Sequence, residues 1–164
     1  MYLIVIVCGL EGTGKTTVSK ELATLIHATV LSTDKIRKEL LAYPSYHEKE
    51  MDLIYDTMIL IAKYLQDNKI NCILDATFRK EQYRKKVYKV LNKKKIFMVE
   101  CICSEETAIS RISTRKNDYS DAKIETYYNT KKVFDRIKQP HIVIETTKPA
   151  KVLAEKIQKE YLLE

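Results

Sequence analysis

The sequence predicts an α/β fold in which helices cover both faces of a parallel β-sheet. Three observations support this class. Short apolar runs that are typical of buried strands alternate with longer segments whose apolar residues recur at helical spacing. The first apolar run ends in the glycine-containing stretch GLEGTGKTT, and a helical segment follows at once. No linker, repeat or low-complexity stretch divides the 164 residues, so we expect one domain over residues 1–164.

The first half of the chain predicts three strands separated by helices. Its first run, Tyr2–Cys8, is apolar without interruption, as expected of a strand that is buried on both faces. The elements that follow are a helix carrying Val18, Leu22, Leu25 and Ile26, a short strand over Thr29–Ser32, a long amphipathic helix carrying Met51, Ile54, Tyr55, Met58, Ala62 and Leu65, and a strand over Ile70–Leu74 that ends in Asp75.

The second half continues the same alternation and adds two strands. Ser104 is a suitable N-cap, and the two glutamates after it favour the first turn of a helix. Residues 111–120 form a polar stretch that we expect to be irregular. The other predicted elements are a helix carrying Tyr83, Val87, Val90 and Leu91, a strand over Ile96–Cys103, a helix carrying Ile124, Tyr127, Phe134 and Ile137, a strand over His141–Glu145, and a final helix beginning near Pro149.

The charge of the chain is compatible with an anionic partner such as a nucleotide or a nucleic acid. The net charge is +7 and the sequence pI is about 9.1. The segment from Arg79 to Lys95 alone contains nine basic residues and one acid, Glu81. This segment is either a solvated helix face or a surface that guides a phosphate backbone. Tyr83 and Tyr88 lie within it and could stack on bases, although Tyr83 also fits the buried stripe of the helix.

The cysteine pattern and the N-terminus favour a cytoplasmic protein. Four cysteines lie in apolar, strand-like stretches without any CxxC pair, which favours buried free thiols over a metal site or disulfides (Cys8, Cys72, Cys101 and Cys103). The N-terminus lacks the features of a secretory signal, and no apolar run is long enough to span a membrane.

All three glycines of the chain, Gly9, Gly12 and Gly14, lie inside the stretch GLEGTGKTT, within six consecutive positions. They follow the first strand and precede the first helix in the phosphate-loop pattern: a glycine, four residues, then Gly-Lys-Thr. Such a loop exposes several backbone N–H groups to a phosphate, and the helix directs its positive end at the same group. We expect ATP with Mg²⁺, bound by Gly9, Gly12, Thr13, Gly14, Lys15, Thr16 and Thr17. Lys15 would reach the β- and γ-phosphates, and Thr16 would bind the metal.

A guanine-specific GTPase is disfavoured by the sequence. Such proteins usually carry an Asn-Lys-x-Asp element that recognises the base. Asn68-Lys69 and Asn92-Lys93 occur here, but Asn71 and Lys95 stand where the aspartate is needed.

Asp34 and Arg37 lie just past the second predicted strand, in the segment LSTDKIRKEL. In open α/β sheets the ligand crevice lies at this carboxyl edge. Asp34 could accept the proton of an acceptor hydroxyl, and Arg37, one helical turn later, could bind an anionic group of the acceptor. The alternative is that Thr33 or Asp34 only caps the next helix.

Asp75 ends the third predicted strand and could hold Mg²⁺ through water or orient Thr16. It could instead cap the following helix or pair with Arg37. Thr77 has the same ambiguity.

Arg111 and Arg115 lie four residues apart and would share a helix face. Arginines in this position can neutralise the charge on a transferring phosphoryl group. Together with the irregular residues after them they would form a lid over about residues 111–123. The alternative is two solvated arginines at a helix end.

These segments resemble the polynucleotide 5′-hydroxyl kinases and the kinases grouped with them. The resemblance covers nearly the whole chain and rests on the segments GLEGTGKTT, STDKIR, LDATFRKEQYR, RISTR, SDAKIETYY and PHIVIETT. It implies a three-layer, kinase-type P-loop fold with a five-stranded parallel sheet in the order 2-3-1-4-5. It also implies that Asp34 is the general base, that Arg37 contacts the acceptor-side phosphate, and that Arg111 and Arg115 clamp the ATP phosphates. Asp75 and Arg79 complete the expected substrate side.

The resemblance predicts an ATP- and Mg²⁺-dependent kinase whose acceptor is the 5′-OH of RNA or DNA. The motifs are also similar to those of L-seryl-tRNA kinase and of small-metabolite kinases of the gluconate, shikimate and chloramphenicol types, so a small-molecule or aminoacyl-tRNA acceptor is the alternative. A second alternative is a nucleotide-binding switch or ATPase that releases free phosphate. The phosphate loop supports phosphoryl transfer more firmly than it supports any one acceptor.

Overall fold

A computed structural model of the chain describes residues 2–115 and 121–162. Over these residues the chain forms one sheet of five parallel strands in the order β2-β3-β1-β4-β5, which confirms the predicted fold class and strand order. The strands are β1 (Ile4–Cys8), β2 (Thr29–Ser32), β3 (Cys72–Asp75), β4 (Ile96–Ile102) and β5 (Ile142–Glu145).

Seven α-helices connect and follow the strands within the same ranges. They are α1 (Lys15–Ile26), α2 (Thr33–Leu40), α3 (Glu48–Asp67), α4 (Glu81–Val90), α5 (Glu105–Thr114), α6 (Ile124–Val133) and α7 (Ala150–Ile157). A 3₁₀ turn over Lys93–Lys95 leads into β4, and a π-helical turn over Gln158–Leu162 extends α7.

The central strand β1 explains why its sequence is apolar without interruption. All five of its residues are fully buried. Ile4, Ile6 and Cys8 pack with residues of α3 and α4 on one face of the sheet. Val5 and Val7 pack with residues of α1 and α7 on the other face. Because successive strand residues point to opposite faces, both faces of a central parallel strand must be apolar.

Two predicted boundaries differ from the structure. Residues 111–114, predicted as irregular, belong to the last turn of α5. Helix α6 ends at Val133, so Phe134 and Ile137 lie beyond it, although both pack in the core. Ser104 caps α5 as expected, its Oγ accepting from the backbone N–H of Thr107 at 3.2 Å. Residues 116–120 of the predicted lid lie outside the described residues.

The basic segment is not one continuous solvated face. Arg84 is fully buried and donates to the backbone carbonyls of Phe78, Asp135 and Arg136. Three of the lysines form ion pairs: Lys80 with Glu48, Lys85 with Glu81 and Lys86 with Asp56. Tyr83 is also buried and stacks on Tyr55 with ring centroids 3.9 Å apart, so its suggested role in base stacking is wrong.

The cysteines are free thiols, as predicted. Cys8, Cys72 and Cys101 are buried, and Cys103 is half-buried. Burial raises the pKa of the Cys8, Cys72 and Cys101 thiols to about 12 in each case. In the described ranges no three His, Cys, Asp or Glu side chains group together in a way that could hold a metal ion. No helix of the same ranges is long and apolar enough to cross a membrane.

Four residues other than glycine adopt a left-handed backbone conformation in the described part of the chain. They are His27, Tyr46, Lys69 and Phe78, with φ between 49° and 59°. Two of them, His27 and Lys69, follow the ends of α1 and α3, where glycine is the usual residue. All three glycines of the chain lie in the turn between β1 and α1.

Candidate active site

The turn after β1 requires glycine at Gly9 and Gly12 for reasons of space. A Cβ on Gly9 would lie 2.3 Å from the carbonyl oxygen of Cys101 at the end of β4. A Cβ on Gly12 would lie 2.5 Å from the carbonyl oxygen of Ala108 in α5, and its φ of +75° favours glycine as well. The loop is therefore pressed against the strand and helix beside it and cannot accept side chains at these positions.

Lys15 and Thr16 begin α1 and extend from the end of this loop. The Lys15 ammonium donates to the carbonyl oxygen of Leu10 at 2.7 Å, so the lysine arches over the loop. The Thr16 hydroxyl donates to the Asp75 carboxylate at 2.7 Å. This contact agrees with the suggestion that Asp75 orients Thr16. A hydroxyl and a carboxylate this close together are the oxygen ligands that Mg²⁺ prefers, so the pair fits that ion.

Asp34 and Asp75 meet at the carboxyl edge of the sheet because their strands are neighbours. Ser32 at the end of β2 is in register with Asp75 at the end of β3, and Asp34 follows two residues later in the first turn of α2. Asp75 is 3% exposed, whereas the side chain of Asp34 is 41% exposed. The two carboxylates therefore face the same crevice from different depths.

A cavity of about 790 Å³ joins the phosphate loop to these carboxylates. Its lining includes most of the residues predicted for the catalytic centre and the acceptor. They are Gly12, Lys15, Thr16, Asp34, Arg37, Asp75, Thr77, Arg79 and Arg115, together with Glu11, Tyr46, Met51, Ile112, Asp121, Lys123 and Thr126. Sequence spacing alone did not show that Arg79 and Arg115 face one cavity.

Arg37 is buried beside Asp34 rather than projecting into solvent. Its side chain is 3% exposed, and its Nη1 lies 3.3 Å from Asp34 Oδ1. Its Nε donates to Glu50 Oε1 at 2.9 Å, and the ring of Tyr46 covers the guanidinium at 4.5 Å. The suggestion that Asp75 pairs with Arg37 is therefore replaced by pairing of Arg37 with Asp34 and Glu50.

Glu50 remains ionised in spite of its burial. Burial alone would raise the pKa of this carboxyl group. Hydrogen bonds from the Ser45 hydroxyl and from the backbone N–H groups of Ser45 and Tyr46, together with Arg37, overcome that effect and lower the pKa to about 2. Glu50 thus supplies a permanent negative charge behind Arg37.

Tyr46 and Asp121, which the sequence analysis did not single out, both line the cavity that contains Asp34 and bind each other there. The Tyr46 hydroxyl donates to the Asp121 carboxylate, and Lys38 forms an ion pair with the same carboxylate at 3.0 Å. The hydrogen bond from Tyr46, opposed by partial burial and assisted by Lys38, lowers the pKa of Asp121. This contact, which we call the Tyr46–Asp121 bridge, joins the loop between α2 and α3 to the residues that precede α6.

Arg111 supports the phosphate loop from behind. It donates to the carbonyl oxygen of Gly12 at 3.3 Å and to the Oγ1 and carbonyl oxygen of Thr146 at 2.9 and 2.6 Å. Thr146 in turn donates to the carbonyl oxygen of Thr13 at 2.8 Å. The suggestion that Arg111 is a solvated helix-end arginine is therefore wrong.

Thr146 was missed by sequence reasoning, although a signal was available. It is the first residue after β5, so it lies at the same carboxyl edge as Asp34 and Asp75. A second cavity of about 560 Å³ opens beside it. Its lining includes Gly14, Thr16, Thr17, Lys20, Arg111, Arg115, Thr146 and Lys148. Thr16 and Arg115 line both cavities, so the two spaces meet at the start of α1.

Comparison with known proteins agrees with this architecture. A family model described as "AAA domain" matches residues 4–159. Among curated proteins, none matches the sequence.

Several solved structures share the fold over nearly their whole length. The unliganded structure of a sugar kinase from a Janibacter species is 15% identical with a TM-score of 0.78, covering 97% of this chain and 94% of that chain. The Mycobacterium tuberculosis APS kinase CysC in complex with AMPPNP and APS is 17% identical with a TM-score of 0.75, and the match covers 96% of this chain and 95% of that chain. Chaetomium thermophilum Kti12 in complex with ADP-AlF3 is 16% identical with a TM-score of 0.70, and the match covers 95% of this chain and 97% of that chain. At these identities the likeness establishes the kinase-type P-loop fold.

Proposed function

We infer that this chain, which belongs to the AAA domain family, is an ATP-dependent kinase that moves a γ-phosphoryl group to an alcohol. The observation that carries this proposal is the shared cavity, in which the phosphate loop and Asp34 face one another. A hydrolase needs a site for water only, whereas this cavity extends past the loop to Asp34, Arg37 and Arg79. The fold shared with structures described as sugar kinase and APS kinase supports the same reaction class.

The residues of the loop would bind the triphosphate of ATP. Backbone N–H groups from Gly9 to Thr17 would hold the phosphates, and Lys15 would leave the Leu10 carbonyl to reach the β- and γ-phosphates. Thr16 and Asp75 would hold Mg²⁺, which neutralises charge on the phosphates when bound. The adenosine part would enter the second cavity, between Arg111 and the residues after β5.

Asp34 would accept the proton of the acceptor hydroxyl as that oxygen attacks the γ-phosphorus. Its partly exposed carboxylate faces the cavity, and Arg37 holds it from the protein side. Arg115, which lines both cavities, would stabilise the charge on the transferring group together with Lys15. Arg111 would act on the same phosphates through the loop that it supports.

The resemblance to polynucleotide kinases favours a 5′-OH end of RNA or DNA as the acceptor. Arg37 and Arg79 line the cavity with Asp34. Arg79 would offer a cationic group to a phosphate next to the reacting hydroxyl, whereas Arg37 would have to give up its contact with Met51 or Glu50 to do so. The acceptor class remains a prediction from that resemblance.

Two observations favour a small alcohol as the second candidate. The Tyr46–Asp121 bridge lies in the lining of the cavity that contains Asp34, and it leaves less room there for a polymer. The basic segment also leads away from the cavity, since Lys93–Lys95 precede β4 at the amino edge of the sheet. The seven residues of β4 separate that edge from the site by roughly 20 Å.

Substitution of Asp34 tests the kinase proposal. Purified protein is incubated with γ-labelled ATP and a panel of a 5′-OH oligoribonucleotide, tRNA, gluconate and shikimate. Asp34→Ala should lower transfer about 10²–10⁴-fold while ATP binding persists, because the base acts only on the acceptor. Lys15→Ala should abolish both, and Asp67→Ala, at an exposed carboxylate, should change neither. Undiminished ATP hydrolysis by Asp34→Ala, with no acceptor labelled by the wild type, would favour the switch or ATPase alternative.

Salt dependence separates the two acceptor classes. A polynucleotide releases counterions on binding, so its KM should rise steeply between 50 and 200 mM salt. The KM of gluconate or shikimate should change little over the same range. Transfer of label to a small metabolite alone would exclude a polynucleotide as the acceptor.

A further inference from the structure

A buried carboxylate behind Arg37, which lines the larger cavity, has no role in the mechanism described above. Glu50 lies in the first turn of α3 and is 7% exposed. Its Oε1 accepts from Arg37 Nε at 2.9 Å, and its Oε2 accepts from both the backbone N and the Oγ of Ser45 at 2.6 Å. A buried charge with all of these bonds is held in one orientation and fixes the groups bonded to it.

Arg37 lies between this carboxylate and Asp34. Its contact with Glu50 is the shorter one, at 2.9 Å against 3.3 Å for Asp34. Glu50 is on the protein side of the guanidinium, whereas Asp34 is on the cavity side and is 41% exposed. Met51 Sδ accepts from Arg37 Nη2 at 3.0 Å, and the Tyr46 ring covers the guanidinium, so no part of Arg37 can turn without breaking a contact.

We propose that Glu50 is a positioning residue that acts through Arg37 to set the Asp34 carboxylate toward the acceptor hydroxyl, a role that rests on the proposed kinase function. The charge of Glu50 keeps the guanidinium turned inward. Without that charge, Arg37 would turn to Asp34, its other ion-pair partner, and form the two-point pair that guanidinium and carboxylate groups prefer. Asp34 would then move toward Arg37 and away from the oxygen that it must deprotonate.

The first test compares Glu50→Gln with Glu48→Gln. Glu48 lies in the same helical turn and its side chain is 69% exposed, so it controls for the substitution itself. With the four acceptors named above, Glu50→Gln should lower kcat for transfer about 10–100-fold. The Kd for ATP should stay within twofold, Glu48→Gln should behave as wild type, and Glu50→Asp should recover part of the rate. Wild-type kcat in Glu50→Gln would overturn the inference.

A double-mutant comparison asks whether Glu50 acts through Arg37. If it does, Arg37→Ala combined with Glu50→Gln should be no slower than Arg37→Ala alone. Losses that multiply would show that Glu50 acts independently and would overturn the inference. Should Glu50→Gln fail to fold, Ser45→Ala removes one of the bonds to Glu50 and should lower kcat in the same direction by a smaller factor.

A structural readout separates this inference from the proposed function. Crystal structures of wild type, Glu48→Gln and Glu50→Gln should show the Asp34 carboxylate displaced toward Arg37 in the last only. If the wild type labels no acceptor, the proposed function fails, while this displacement still decides whether Glu50 positions Asp34. An unmoved Asp34 carboxylate in Glu50→Gln would overturn the positioning role even in an active kinase.

Discussion

Asp34 and Asp75 end up at neighbouring positions of one sheet edge, yet their surroundings differ. Asp75 is nearly buried and accepts from the Thr16 hydroxyl, so it faces the position where a metal would meet the phosphates. Asp34 is partly exposed and is held by a buried arginine. Burial and hydrogen-bond partners, rather than residue type, therefore assign one carboxylate to metal binding and the other to proton transfer in the proposed mechanism.

At the residue scale, we expect Glu50 to make the stability of the protein depend on acidic pH. Its pKa is lowered from 4.5 to about 2 in the folded protein, so the stabilisation is complete above pH 4.5 and is lost as the pH falls toward 2. The loss amounts to up to about 3 kcal/mol of the free energy of unfolding. Urea unfolding of wild type and Glu50→Gln from pH 6 to pH 2 measures it. Parallel curves for the two proteins would contradict the expectation, and Glu48→Gln is the control.

Sequence reasoning found Asp34, Arg37 and Asp75 because each follows a strand or lies one helical turn from such a residue. It did not find Glu50 or Tyr46, since their contacts with Arg37 depend on how α3 and the loop before it pack against α2. No local pattern encodes that packing. The pairing of Arg111 with Thr146 was missed for the same reason, because 35 residues separate the two.

At the scale of elements, α4 shows that a cluster of basic residues in a sequence need not be a binding surface. Arg84 is turned inward, where its guanidinium binds three backbone carbonyls, two of them from the connection after α6. The same connection is tied to the start of α4 by the Asp135 N–H, which donates to the Arg79 carbonyl at 2.7 Å. Arg84 therefore holds two distant segments together on one side of the site.

We expect Arg84→Ala to lower the free energy of unfolding by about 2–4 kcal/mol, because several buried carbonyls lose their donor. Lys85→Ala, next in the chain and exposed, should change it by less than about 0.5 kcal/mol. Urea unfolding monitored by circular dichroism measures both. Equal effects of the two substitutions would show that the buried guanidinium has no special contribution.

Both misplaced helix boundaries result from contacts with residues that are distant in the sequence. The apolar spacing from Ile124 continues to Phe134 and Ile137 because both are packed in the core, and a helix was the simplest way to explain it. After Val133 the backbone N–H of Asp135 instead donates to the Arg79 carbonyl, and the Asp135 carboxylate accepts from the backbone N–H of Glu81. Helix α5 extends further than its polar sequence suggests because Arg111 in its last turn binds Thr146.

At the scale of the whole molecule, the order of the strands brings the candidate site together. β1 and β3 lie side by side, so the loop after one and the carboxylate at the end of the other share an edge. The same edge receives Asp34 from β2 and Thr146 from β5. The alternating apolar segments predicted the parallel sheet, and the resemblance to the kinase family implied the order of its strands.

Because many segments meet at the phosphate loop, ATP should stabilise the entire domain. At 100 times its Kd, ATP with Mg²⁺ should add about 2.7 kcal/mol to the free energy of unfolding and raise the Tm by roughly 5–10 °C. Chelation of Mg²⁺ by EDTA should reduce the increase. Lys15→Ala should abolish it, and Lys132→Ala, at an exposed position in α6, should leave it intact. A Tm in scanning fluorimetry that does not respond to ATP would argue against nucleotide binding at the loop.

The placement of the glycines also bears on the unfolded chain. Glycine samples more backbone conformations than any other residue, so each one adds to the entropy that is lost on folding. This chain confines that loss to three positions. Other turns of the backbone use residues such as His27 and Lys69, which adopt a left-handed conformation in place of glycine. The unfolded ensemble is correspondingly narrower, and the local strain of those turns is offset by a smaller entropic cost for the molecule as a whole.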